Sequence, residues 1–184
     1  RDPPAILVEV RRLSARQMPQ EVSLRAVDFG VVTFNPPDRE LASLIVTTDE
    51  LVLLVRPDHP LADRRQITME EMGRQTVIAH NDPSPTRERV LKLYEQRQTQ
   101  LNIRLSLPSL DAIKRAVEMG LGVALLPRRC AQGEISRGEL VEIRVPELRS
   151  PRQVRLVHRR EAQLSHAARA FLEVARREVG TDQV

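Results

Sequence analysis

The chain has 184 residues, of which 41% are hydrophobic, enough to bury a real core in one α/β domain or in two small lobes. Its net charge of +4 comes almost wholly from arginine, Lys92 and Lys114 being the only lysines. The 25 acidic residues are interspersed with the 29 basic ones, and Tyr94 and three phenylalanines are the only aromatics, which argues against a nucleic-acid arm or a base-stacking platform. A single cysteine, Cys130, excludes an intrachain disulfide and a cysteine-based zinc site; with no secretory h-region or membrane-length apolar run, a soluble cytoplasmic protein with no membrane association is expected.

In chain order, the opening RDPPAILVEV starts almost directly in an alternating strand, Ile6–Val10, and reads as the start of a fragment. Ser14 is placed to cap a helix through about Ala26, with Met18, Val22 and Ala26 on one face. Strands are expected at Asp28–Phe34, Leu41–Thr47 and Glu50–Arg56, the first two separated by the turn Asn35-Pro36-Pro37-Asp38. Thr68 and Glu71 form a capping box for a short helix ending at Gly73, and Thr76–His80 returns as strand. Ser84 then caps a helix with Pro85 at its first position, on which Val90, Leu91, Tyr94 and Arg97 share a face.

The stretch Ser106–Pro127, SLPSLDAIKRAVEMGLGVALLP, reads as a complete strand–helix–strand unit. Ile103–Leu107 is β-rich, Pro108 ends it, and Ser109 sits at the N-cap of a helix whose Leu110, Ile113, Ala116 and Val117 make one apolar stripe. Gly120 supplies the positive φ that stops this helix, and Gly122–Leu126 is an apolar buried strand closed by Pro127. Beyond it come a short helical turn at Arg128–Cys130, a loop bracketed by Gly133 and Gly138, a strand at Leu140–Val145, a linker at Pro146–Pro151 and a strand at Gln153–His158. Ser165 caps a last helix, from His166 to about Val179, that ends at Gly180. Strands alternating with helices predict an α/β fold with mostly parallel sheets.

Few residues invite catalysis. His59, His80, His158 and His166 lack metal-ligand spacing, and neither the carboxylates nor Cys130 has a partner in sequence that marks acid–base or nucleophilic work. The GLG of Gly120–Gly122 follows a helix and precedes a strand, the reverse of a dinucleotide fingerprint, so no cofactor is expected. What remains is a set of small hydroxyl residues at strand ends and helix starts, Thr33, Ser84, Thr86 and Ser109. They read as caps or as ligand contacts beyond the carboxyl ends of strands, where helix N-termini aim donors. Binding without catalysis is the reading they favour.

Several motifs resemble the effector-binding region of the LysR-type transcriptional regulators, whose sensor is similar to the type 2 periplasmic binding proteins. They are DFGVV at Asp28–Val32, LVLLVRPDHPLA at Leu51–Ala62, the polar turn opening a helix at Asn81–Arg87, and MGLGVALLP at Met119–Pro127. The G-x-L of Gly138–Leu140 and the S-x-A-A-x-x-F of Ser165–Phe171 complete the series. The resemblance implies two lobes, one of residues 1–49 with 147–184 and the other of residues 50–146, each with a mixed, mostly parallel sheet flanked by helices. It places a small-molecule effector between them, touching Thr33, Phe34, Ser84, Thr86, Ser109 and Val123. It also implies a homodimer or tetramer, an opening strand and helix ahead of Arg1, and DNA contacts made only through an N-terminal winged helix-turn-helix absent from this chain. A free-standing solute-binding protein, or an enzyme of related fold, stays as the alternative; lack of an export signal counts against the first and lack of paired acid–base residues against the second.

Overall fold

In a computed structural model that describes residues 6–81, 84–149 and 151–181, the elements follow in this order. The first half holds α1 (Met18–Ser23), β1 (Phe29–Val32), β2 (Leu41–Asp49), β3 (Leu51–Val55), α2 (Met69–Gly73), β4 (Val77–His80) and α3 (Pro85–Gln96). The second holds β5 (Ile103–Leu107), α4 (Leu110–Glu118), β6 (Ala124–Pro127), α5 (Gln132–Ser136), β7 (Val141–Ile143), β8 (Arg152–Arg159) and α6 (His166–Thr181). They divide into two compact units, Arg1–Thr48 with Arg152–Val184, and Asp49–Pro151. Residues 147–151, a linker by sequence, stay with the second unit because Leu148 is buried in its core beside Met69 and Val145.

The first unit is a three-stranded sheet in the order β1-β8-β2, with β1 antiparallel to β8 in the register Phe29–His158 to Val32–Arg155. One small core joins Leu156 of β8 to Leu164 and to Ala168 and Leu172 of α6; another joins Met18, Val32 and Val157. Ser165 caps α6 as expected, its Oγ accepting from the Ala168 N–H at 3.1 Å, but the helix runs through Gly180 to Thr181. Two expectations fail here. Ile6–Val10 forms no strand, and α1 starts at Met18 rather than near Ser14, because the ring of Pro19 favours the first turn of a helix and Ser14 contributes its carbonyl, not its hydroxyl, to the turn before it.

The second unit is built on β3, whose Val52, Leu53, Leu54 and Val55 are at most 1% exposed. Its sheet has the order β6-β3-β7, beside a parallel β4–β5 pair. Here the expected mostly parallel pairing is corrected. β3 is antiparallel to β6 and to β7, which therefore agree with each other in direction. Alternating strands and helices predict parallel neighbours only for strands linked by their own crossover helix, and β3 instead follows β2 after a single residue, Glu50. The capping box on α2 forms as read, with Glu71 N–H to Thr68 Oγ1 at 3.1 Å and Thr68 N–H to Glu71 Oε2 at 2.9 Å. The short helix α5, read as loop, occupies the space between Gly133 and Gly138.

The MGLG segment explains how the two sheets meet. Gly120 takes φ +75° after α4, as a helix-stopping glycine should, and Arg56 lies against it so closely that a Cβ would stand 2.6 Å from Nη1. At Gly122 a Cβ would stand 2.4 Å from the Thr76 carbonyl, which is backbone and cannot swing aside. That close approach lets Val123 donate to Thr76 O and accept from Ile78 N, both at 2.8 Å, joining β6 to β4. Gly122→Ala should therefore cost about 1–3 kcal/mol, read in urea unfolding as a lower midpoint at unchanged slope.

Candidate functional site

The β4–β5 pair is parallel in the register His80–Leu107, and the Asn81 N–H donates to the Leu107 carbonyl at 2.9 Å, so the chain leaves both strands at one edge. From that edge each strand leads into a helix. At α3 the Ser84 Oγ accepts from the Arg87 N–H at 3.2 Å, Pro85 holds the first helical position and Thr86 follows, half-buried. At α4 the Ser109 Oγ accepts from the Ala112 N–H at 3.1 Å. Both serines are true caps, and the first-turn N–H groups of Thr86, Leu110 and Asp111 lie outside the helical ladder, where they can serve a ligand.

Each of the two helices carries one acidic residue in its first turn, Glu88 on α3 and Asp111 on α4. Asp111, in the first turn of α4, turns its carboxylate 92% into solvent, 3.1 Å from Lys114 Nζ. Lys114 is itself only 12% exposed and also donates to Glu134 Oε1 at 2.7 Å and to the Cys130 carbonyl at 2.9 Å. The Glu134 hydrogen bond, and after it the one to Asp111, raise the Lys114 ammonium, and the Lys114 hydrogen bond holds the Glu134 carboxyl below its ordinary range. Arg87, half-buried in the first turn of α3, sends Nη1 to the His80 carbonyl at 2.5 Å, which fixes its guanidinium at the end of β4. Sequence reasoning passed over Arg87 as one arginine among many. The available signal was its position, since a cation in the first turn opposes the helix dipole unless an anion offsets it.

The remaining candidates fall elsewhere. Val123 is 1% exposed among Leu53, Val77 and Ile143, both its backbone groups are bonded to β4, and its bridge to Val77 sets it at the opposite end of β4 from Ser84 and Ser109. It is a packing residue, because the same small-residue approach that docks it against β4 removes it from any surface. Thr33 and Phe34 belong to the first unit, in the bend directly after β1; both are half-buried, and Phe34 packs against Met18, Val32 and Val157. Among the described residues no group of three or more histidines, cysteines or carboxylates could hold a metal, and no helix is long and apolar enough to cross a membrane.

The LysR substrate binding domain family matches residues 1–180. This chain belongs to that family. It is 32% identical over 172 residues to the uncharacterized HTH-type transcriptional regulator YeiE of Escherichia coli (strain K12), covering 94% of this chain and 58% of that protein. It is 29% identical over 154 residues to the RuBisCO operon transcriptional regulator of Allochromatium vinosum, covering 84% of this chain and 51% of that protein. This LysR domain thus spans little more than half the length of those regulators. Among solved structures, the regulatory domain of Synechocystis PCC6803 CcmR in complex with 2-PG superposes with a TM-score of 0.77 at 26% identity, covering 88% of this chain and 78% of that one. The effector binding domain of QuiR in complex with shikimate gives 0.76 at 19% identity, a likeness of fold, covering 91% and 79%. The architecture is that of the LysR effector-binding domains, the type 2 periplasmic-binding-protein-like class.

The Lys114–Glu134 bond has a pH signature. A carboxyl held below its ordinary 4.5 contributes stability above its unfolded pKa and loses it as pH falls through the folded value. Glu134→Gln should therefore flatten the decline in urea midpoint between about pH 6 and about pH 3 relative to the parent chain.

Proposed function

We propose that this LysR domain senses a small anionic or polar effector at the edge where β4 and β5 deliver α3 and α4, and so modulates transcription by the regulator to which it belongs. The observation that carries the reading is the convergence of two serine-capped helix starts and the Arg87 guanidinium on one strand edge, with the one first-turn carboxylate of α4 turned away and paired. Ser84, Thr86 and Ser109 supply hydroxyls and N–H groups, and Arg87 supplies a charge that a carboxylate or phosphate can accept in bidentate fashion. Thr33 and Phe34 are proposed as effector contacts from the first unit, while Val123 serves only to hold β4 and β6 together. The effector acts by binding one conformation of the regulator better than another, which shifts the population and the DNA contacts of a winged helix-turn-helix elsewhere in the polypeptide. That regulator is a homodimer or tetramer, it works in the cytoplasm, and the domain itself catalyses nothing.

Calorimetry with a panel of small carboxylates and phosphorylated acids, beginning with 2-PG and shikimate, tests the site. For the ligand that binds, Ser109→Ala and Arg87→Gln should each weaken affinity by about ten- to a hundredfold, the worth of one hydrogen bond to a charged group. Ser109→Ala should also lower stability by about 1 kcal/mol as a lost cap. Parent-like affinity in both variants, folded by circular dichroism, would remove the site from this edge.

A further inference from the structure

Two arginines of β8 lie on one face of the first unit's sheet. Successive side chains of a strand alternate, so Leu156 meets α6 while Val157 packs with Met18 and Val32, and Arg155 and Arg159 share the face of Val157. Their partners differ in kind. Arg159 is buried and spends its guanidinium on the Asp28 carboxylate and on the carbonyls of Val22 and Val27, so its charge is met by a charge. Arg155 is half-buried, and both its partners are neutral: Nη1 donates to Ser43 Oγ of β2 at 3.1 Å, and Nη2 donates to Gln153 Oε1. Among the described residues no carboxylate pairs with Arg155.

A guanidinium carries its N–H donors in a rigid fork, and Ser43 and Gln153 take one from each Nη, which leaves Nε–H and one further donor on each Nη. Neutral acceptors fix the plane of the fork without cancelling its charge. That is the condition for holding a carboxylate or phosphate in two parallel bonds. Ser43 adds a donor of its own. Its Oγ accepts from Arg155, so its proton is available, and the acceptor it has, Asn35 Oδ1, stands 3.5 Å away, at the limit of a hydrogen bond. The face stays open here, since Ile45, two residues along β2 from Ser43, is 36% exposed. Arg155 lies opposite Val32, the last residue of β1, and the chain that leaves β1 through Thr33 and Phe34 reaches Ser43 at Asn35. We infer that Arg155 and the Ser43 hydroxyl form an oxyanion-binding subsite on the first unit, which takes a carboxylate or phosphate group. That group comes either from an effector with a second anionic end or from a free ion. The subsite stands on the first unit alone; only its assignment to the effector rests on the reading that Thr33 and Phe34 touch that molecule.

Titration of the protein at constant ionic strength, followed by calorimetry and by the NMR resonance of the Arg155 Nε–H, tests it. The probes are inorganic phosphate and phosphonoacetate, which has an anionic group at each end. A probe that binds should shift that resonance saturably, and Arg155→Gln, which keeps a donor for Ser43, should weaken its binding by about tenfold or more. Arg155→Lys should also weaken it, because an ammonium keeps the charge but loses the fork. Arg87→Gln separates the two sources. Phosphate affinity unchanged by that substitution marks a free-ion subsite, whereas phosphonoacetate weakened alike by Arg155→Gln and Arg87→Gln marks one molecule that uses both arginines; binding lost in Arg155→Gln but not in Arg87→Gln supports this subsite and counts against the Arg87 edge. No saturable shift with either probe overturns the proposal. So does parent-like affinity in Arg155→Gln with a lowered urea midpoint, the mark of a residue that only ties β8 to β2. If the variants do not fold, the Arg155 resonance of the unsubstituted protein decides by itself: a saturable shift supports the subsite, and its absence overturns it.

Discussion

Two backbone hydrogen bonds from Val123, to Thr76 and Ile78, make one platform of what would otherwise be two sheets in the second unit. Each is worth only about 1 kcal/mol net. What makes them decisive is steric: the Thr76 carbonyl sits where any side chain at residue 122 would be, so glycine is the condition for the bonds rather than a consequence of them. Once β4 is fixed to β6, β3 lies between β6 and β7 as a strand buried from Val52 to Val55, and β5 follows β4 in parallel. The edge that carries the two capped helices is thus positioned by a contact at the other end of the same strand.

Buried polar groups lock this platform in register. Tyr94 on α3 is almost wholly buried and donates its hydroxyl to the Met69 carbonyl at 2.6 Å, which ties α3 to the start of α2. Burial pushes that phenol up, and the carboxylates of Glu70 and Glu147 add to the effect, so it stays a donor at any ordinary pH. On the other flank, Lys114 joins α4 to the turn after β6 and to α5 through Cys130 and Glu134. Both helices at the candidate site are therefore held at their bodies, which leaves their first turns to be shaped by serine caps and by whatever binds there.

The first unit depends on one buried arginine in a similar way. Arg159, at the end of β8, sends Nη1 to the carbonyls of Val22 at 2.8 Å and Val27 at 3.2 Å, and Nη2 to Asp28 at 3.2 Å. A guanidinium with its side chain 7% exposed must find such partners, because an unpaired buried charge is costly. It gathers the carbonyls at the end of α1 and the approach to β1, and so fixes where β1 meets β8.

Local chemistry was legible in the sequence wherever a few neighbouring residues decide the outcome. The capping box at Thr68 and Glu71 and the serine caps at Ser84, Ser109 and Ser165 follow from side chains reaching backbone groups within three residues, and the positive φ at Gly120 from its lack of a Cβ. The order of the motifs carried the family as well. What only the tertiary structure decided were relations between distant segments. Strand direction was one, because antiparallel β3 arrives from the other unit. The burial of Val123 against β4 was another, since its environment is made by Thr76 and Ile78, far away in sequence. The role of Arg87 was a third, for its carbonyl partner lies across a turn. The strand expected at Ile6–Val10 was a fourth, for alternation in sequence makes a strand only where a neighbour accepts its hydrogen bonds, and among the described residues this segment forms none.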